Sequence, residues 1–182
     1  MKRVLFILGV LDDDDIDWLI STGKRQEIPQ NTVLIHEGKP IDAIYFLLDG
    51  TLTVQVAALK DQIIAHLSSG EVVGEMSFVD TRLPSATVKA ITPSLVLAIP
   101  KDRLIEKLEQ DVWFAARFYR ALAILLSTRL RGTVQKIHDA AHWRPLDLSD
   151  ETFNLDMAAN MSLAAIRFDW LLRRLRDGAI ET

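Results

Sequence analysis

The sequence predicts a mainly β domain, a roll or barrel framed by helices, and three observations carry that class. Between residues 24 and 100, short β-rich segments are cut by turn signals. From residue 102 to 137 the chain holds no proline and a single glycine, Gly132, which is the pattern of helix. Hydrophobic residues make up 49% of the 182, enough for one well-packed domain with appendages.

The first predicted element is a short helix over residues 10–22. Its acidic run, Asp12 to Asp15, sits at the positive end of the helix dipole, Ile16, Leu19 and Ile20 recur at helical spacing, and Gly23 stops it. The apolar run over residues 4–11 follows Lys2 and Arg3 like a secretory leader. It is short, runs into the acidic cluster and lacks a small-residue cleavage site, so it reads as part of the folded protein. Strands are predicted over 32–36, 43–48, 51–57, 63–67, 86–91 and 94–99. Glu37-Gly38 and Asp49-Gly50 are turns, the second suited to a two-residue type I′ hairpin.

Beyond Pro100 a short helix precedes a long one. Two apolar stripes run along the long helix: Val112, Ala115, Tyr119, Leu122 and Leu126 form one, Phe114, Phe118, Ala121 and Leu125 the other. One stripe would pack on the roll and the other on a second surface such as a partner helix, which predicts a homodimer through this helix. Residues 139–161 read as a linker. A last helix is predicted with Ser162 as N-cap, a face of Ile166, Trp170, Leu171 and Leu175, and Gly178 as its end. The expected division is 1–138 for the roll with its long helix and 139–182 for the linker and amphipathic terminal helix.

Composition narrows the function. With no cysteine the chain has no disulfide, thiolate metal site or cysteine nucleophile, which suits a reducing cytoplasm. Residues 1–100 hold 8 Lys/Arg against 13 Asp/Glu and residues 101–182 hold 13 against 12, so no basic half favours nucleic acid. Charges interrupt every long apolar stretch before membrane-spanning length, so direct insertion is not expected. The four histidines are scattered. His138 and His142 lie four apart but lack the glutamate and third ligand of a zinc site, and Glu75 has no evident acid-base partner. No enzyme, catalytic residue or metal is expected.

The chemistry-bearing stretch is residues 72–88. Gly74 lets the backbone approach a ligand, the amides of Met76 and Ser77 open a short turn that faces an anion, and Glu75 can accept from a sugar hydroxyl. Together with Ser85-Ala86-Thr87-Val88 at this spacing, Gly74-Glu75-Met76-Ser77 resembles the phosphate cassette of cyclic-nucleotide-binding domains, the family of the catabolite activator protein and the protein kinase A regulatory subunits. The run from His36 to Gly50 also resembles that family's strand, turn, strand and glycine turn. The resemblance covers residues 11–137 and implies an eight-stranded, jelly-roll-like β-roll with flanking helices. It also implies a cyclic nucleotide as ligand, with no other cofactor.

One residue departs from the pattern: Pro84 stands where the family usually has the phosphate-neutralising arginine. Arg82 from the loop and Lys89 from the next strand are the candidate replacements. Thr133 falls where the family's long helix covers the base, with Ser127 and Thr128 one to two turns earlier; these hydroxyls also suit carbonyls of their own helix. The whole chain further resembles a small bacterial family, known mainly from cyanobacteria and named for association with bacteriocin-type transport, whose members share this one-roll layout and the ending at residues 167–175; the resemblance gives a context without a mechanism.

A DNA-binding regulator of the activator type would need a helix-turn-helix module, and only one helix follows Pro145. Its Arg173, Arg174 and Arg176 suit the helix dipole and pairing with Asp169 or Asp177. Two readings remain. One is a sensor whose ligand shifts the long helix; the other is a ligand-free scaffold that dimerises or docks on an unidentified protein partner.

Overall fold

The computed structural model describes residues 4–60, 62–140 and 155–177. Its strands are β1 (Lys24–Ile28), β2 (Val33–Ile35), β3 (Ala43–Asp49), β4 (Thr51–Val56), β5 (Gln62–Ser68), β6 (Val72–Val73), β7 (Thr87–Ala90) and β8 (Ser94–Pro100). Its helices are α1 (Val4–Val10), α2 (Asp13–Thr22), α3 (Met76–Val79), α4 (Lys101–Gln110), α5 (Val112–Ala140) and α6 (Leu155–Asp177). Two antiparallel four-stranded sheets, ordered β1-β8-β3-β6 and β2-β7-β4-β5, make the roll.

β3 decides where the cores lie, because it is buried on both faces. Successive side chains of a strand point to opposite sides. Ala43, Tyr45 and Leu47 therefore enter the roll interior with Leu52, Leu67, Val88 and Val96. Ile44, Phe46 and Leu48 face the helices and meet Ile7, Ile16, Phe114, Phe118 and Phe168. β8 does the same, with Val96 and Ala98 inside and Leu97 and Ile99 outside.

Six strands fall where the sequence predicts them, and β1 and β6 do not. β1 is Lys-Arg-Gln-Glu-Ile with four of its five residues exposed. It shows no apolar alternation and is held by pairing along β8, from Lys24 opposite Ala98 to Ile28 opposite Ser94. The Asp49-Gly50 turn is not a hairpin. β3 pairs with β6 and β8 while β4 pairs with β5 and β7, so Gly50, with φ +96°, carries the chain from one sheet to the other. A Cβ there would lie 2.7 Å from Ser94 Cα, which is why glycine is required.

Asp12 caps α2 in a reciprocal box: its carboxylate accepts from the Asp15 amide at 2.9 Å, and the Asp15 carboxylate accepts from the Asp12 amide at 3.0 Å. The helix starts three residues later than predicted because the preceding apolar run is itself α1, whose Ile7 and Leu8 are wholly buried.

The C-terminal prediction needs correction. α5 runs to Ala140 and α6 begins at Leu155, so the linker is shorter than residues 139–161 and Ser162 lies inside a helix instead of capping it. The buried face of α6 is Ala164, Phe168 and Leu171, at helical spacing, with Trp170 and Leu175 partly covered; Ile166 points to solvent. α6 packs on α1. The Arg167 guanidinium donates to the Leu8 carbonyl at 2.9 Å, to the Leu11 carbonyl and to Asp13 Oδ1 at 2.8 Å, satisfying carbonyls at the end of α1. Arg173 pairs with Asp169 at 2.7 Å, as the spacing suggests, whereas Arg174 reaches across to Asp17. Gly178, His142 and the side chains of His138, Arg176 and Asp177 lie outside the described residues.

Candidate functional site

Residues 72–88 turn between the two sheets, and Gly74 fixes that turn. Its φ is +88°, and a Cβ would stand 2.9 Å from Ile41 Cδ1 and 3.0 Å from the Ala43 carbonyl oxygen. The position thus demands glycine because β3 passes directly behind it, a reason separate from any ligand.

α3 follows, its Phe78 and Val79 amides donating to the Glu75 carbonyl at 3.2 and 3.0 Å. Lys101 Nζ holds the turn from below by donating to the Ser77 carbonyl at 3.2 Å. Burial pushes the Lys101 ammonium down from its usual range, with Asp42 and Asp80 pulling the other way. Phe78 sets its ring edge-on to Phe118 of α5, centroids 6.1 Å apart.

Gly74, Glu75, Met76, Ser77, Pro84, Ser85, Ala86 and Thr133 all line one cavity of about 740 Å³. The structure therefore brings eight of the nine sequence-named residues together. Arg82 is the exception: its side chain is 86% exposed and lies 4.0 Å from Asp80. Lys89 is not among the lining residues either, because its neighbour Val88 faces the cavity and alternation turns Lys89 to the opposite face. The Pro84 carbonyl accepts from the Gly38 amide at 2.8 Å, which pins the second half of the cassette beside the Glu37-Gly38 turn. Thr133 lines the cavity, and its hydroxyl donates to the Arg129 carbonyl at 3.0 Å as the in-helix alternative expects; Thr128 bonds Ile124 in the same way.

The residue that sequence reasoning missed is Arg129. From α5 its guanidinium donates to the Glu75 carboxylate and to the Val72 carbonyl and lies 3.5 Å from Glu71 Oε2. Glu75 is only 2% exposed, so this is a largely desolvated pair. A signal existed. Glu75 needs a cation, and Arg129 sits one turn before Thr133 on the helix already expected to cover the cavity.

Along α5 the Phe114, Phe118, Ala121 and Leu125 stripe is buried. The other stripe divides: Leu122 is covered, while Val112 is 74% and Tyr119 50% exposed. The outward apolar face runs Val112, Ala116, Tyr119, Ala123, the half-buried Leu126 and Leu130, alternating steps of four and three residues. Among the described residues no cluster of acidic and histidine side chains could hold a metal, and no helix is long and apolar enough to cross a membrane.

An eight-stranded two-sheet roll, a glycine turn behind β3 and a cavity walled by a long C-terminal helix define the cyclic-nucleotide-binding fold. Residues 25–111 match the family model described as the cyclic nucleotide-binding domain. The chain is similar to a cyclic nucleotide-binding domain structure from Methylobacillus flagellatus, with TM-score 0.69 and 24% identity over 79% of this chain and 85% of that one. It is also similar to the Thermus thermophilus catabolite activator protein, with TM-score 0.59 and 20% identity over 93% of this chain and 86% of that one. Among curated proteins it is 27% identical over 132 residues to the cAMP-activated global transcriptional regulator CRP of Pasteurella multocida, covering 71% of this chain and 61% of that protein. It is 28% identical over 120 residues to an NTE family protein of Mycobacterium tuberculosis, covering 66% of this chain and 20% of that protein. The chain thus spans only part of the length of these curated relatives.

Proposed function

We propose that this chain is a non-enzymatic regulatory domain in which occupancy of the roll cavity sets the position of α5, and in which affinity for cyclic nucleotides is reduced. The carrying observation is that Arg129, an α5 residue, is ion-paired to Glu75 in the cassette wall, so the cavity and the long helix share a buried bond. A ligand that competes for either partner has a differential interaction with two positions of α5, which is what a switch requires.

Pro84 supports the reduced affinity. It removes both a cation and a backbone donor at the cassette. Taking one partner from a desolvated charge pair costs about 2–5 kcal/mol, roughly 30-fold to several thousandfold in affinity. Calorimetry with cyclic AMP and cyclic GMP should give no resolvable heat for the native chain and a measurable affinity for Pro84→Arg. Tight binding by the native chain would refute the reduced affinity.

The heptad-spaced apolar face of α5 supports a second copy of the chain as the partner, since a seam repeating every 3.5 residues is what a facing helix covers. Leu130 is 65% exposed on that face. Light scattering should give twice the chain mass, and Leu130→Glu should return it to one. The same seam favours the scaffold reading if the cavity takes nothing. For a setting, the resemblance of residues 167–175 points to peptide export, and the lack of cysteine to a reducing cytoplasm.

A further inference from the structure

The composition of the cavity wall differs from what an anion needs. At the cassette end stand Pro84, Ser85 and Ala86, with Arg82 turned out to solvent. Arg129 is the single arginine or lysine among the described lining residues, and it is engaged by Glu75, Glu71 and the Val72 carbonyl. An incoming anion would have to displace the buried Glu75 carboxylate from its partner or lie beside it uncompensated. Both outcomes are costly in a desolvated site.

Most of the remaining wall is hydrocarbon, with His66 among it. Ile35, Val54, Ala65, Leu67 and Val88 form the deep surface from both strands of each neighbouring pair, and Leu59, Ile64 and Met76 frame it. A volume of about 740 Å³ lies in the range of small-molecule pockets, roughly 300–1,000 Å³. Ser77, Ser85 and Thr133 add hydroxyls but no charge.

From this charge and shape complementarity we propose that the cavity receives an uncharged, predominantly apolar small molecule, with the hydroxyls and the Glu75–Arg129 pair available to one polar end. The proposal names the ligand class for the regulatory reading above and rests on that reading for its consequence at α5. The cradle shaped for a phosphate is walled by a pyrrolidine ring, and binding there derives from desolvating apolar surface on both sides.

Two dyes that differ by one sulfonate test it: uncharged N-phenylnaphthylamine and its anionic counterpart anilinonaphthalenesulfonate. Fluorescence titration of the whole chain should show saturable binding of the uncharged dye and at least about tenfold weaker binding of the sulfonate. Ala65→Phe, which fills the deep wall, should abolish the uncharged signal. Pro84→Arg should keep the fold and shift the ratio toward the sulfonate by tenfold or more. Equal or tighter sulfonate binding by the native chain, no saturable uncharged binding, or a signal that neither variant alters would each overturn the proposal. Hydrogen exchange over residues 112–134 separates the two layers. If the uncharged dye binds without changing exchange there, the ligand class stands and the regulatory reading fails; if cyclic AMP binds tightly and does change it, the reverse holds.

Discussion

Two arginines of α5, twelve positions apart, each bond a buried carboxylate, yet they sit in different surroundings. Arg117 grips Asp15 through two bonds of 2.6 and 2.8 Å and also reaches Asp12 at 2.9 Å, fastening α5 to the capped start of α2. The Asp15 carboxylate is 2% exposed, as Glu75 is, and does not line the cavity. Arg129 makes a comparable grip on Glu75, but at the wall of a cavity. The same pairing therefore fastens the start of the helix to α2 and, past its middle, lies at the wall of a cavity. What distinguishes them is whether a third molecule can reach the pair.

The sharpest way to break this contrast is to remove each guanidinium. Arg117→Ala removes three bonds to two carboxylates, strands the buried Asp15 and should destabilise by about 3–5 kcal/mol in chemical denaturation. Arg129→Ala should cost less, about 1–3 kcal/mol, because the cavity lets water hydrate Glu75. Equal losses would mean that the cavity gives no relief and that both are plain anchors.

A smaller effect follows from protonation. Burial alone would raise the Asp15 carboxyl, but the Arg117 hydrogen bond and charge and the Asp12 amide outweigh it and hold Asp15 below its ordinary range. A depressed folded-state value contributes stability above the unfolded value, about 3.9, that is lost as pH falls through the folded one. The acid limb of stability below about pH 4 should therefore be shallower in Asp15→Asn than in the native chain, and an unchanged slope would remove Asp15 from the anchor. The smallest effect belongs to Arg173, whose pair with Asp169 is exposed on both sides. Arg173→Ala should shift stability by no more than about 0.5 kcal/mol and so serve as the control.

Much of the fold was legible because the short apolar runs of β3 and β8, buried on both faces, and the helical period of α5 are set by burial, which residue type reports directly. β1 was invisible because its order comes from pairing along β8, and pairing needs only backbone groups. The sheet-changing role of Gly50 was hidden because glycine permits either a hairpin or a crossing, and only the Ser94 backbone beside it selects one. On α6 Trp170, Leu171 and Leu175 were read correctly and Ile166 was not, since the covered side is chosen by α1 and α2 and centres on Ala164, Phe168 and Leu171. At the site, local residues announced the cassette, while Arg129 joins it across 54 positions of chain.

The glycine at position 74 carries a consequence for how such proteins are recognised. Its missing side chain leaves room for the backbone of β3, so folding alone retains it, whatever enters the cavity or fails to. That one glycine of the cassette is thus an architectural fossil, a scar of how the roll closes. Its presence reports the roll and says nothing of what the cavity holds.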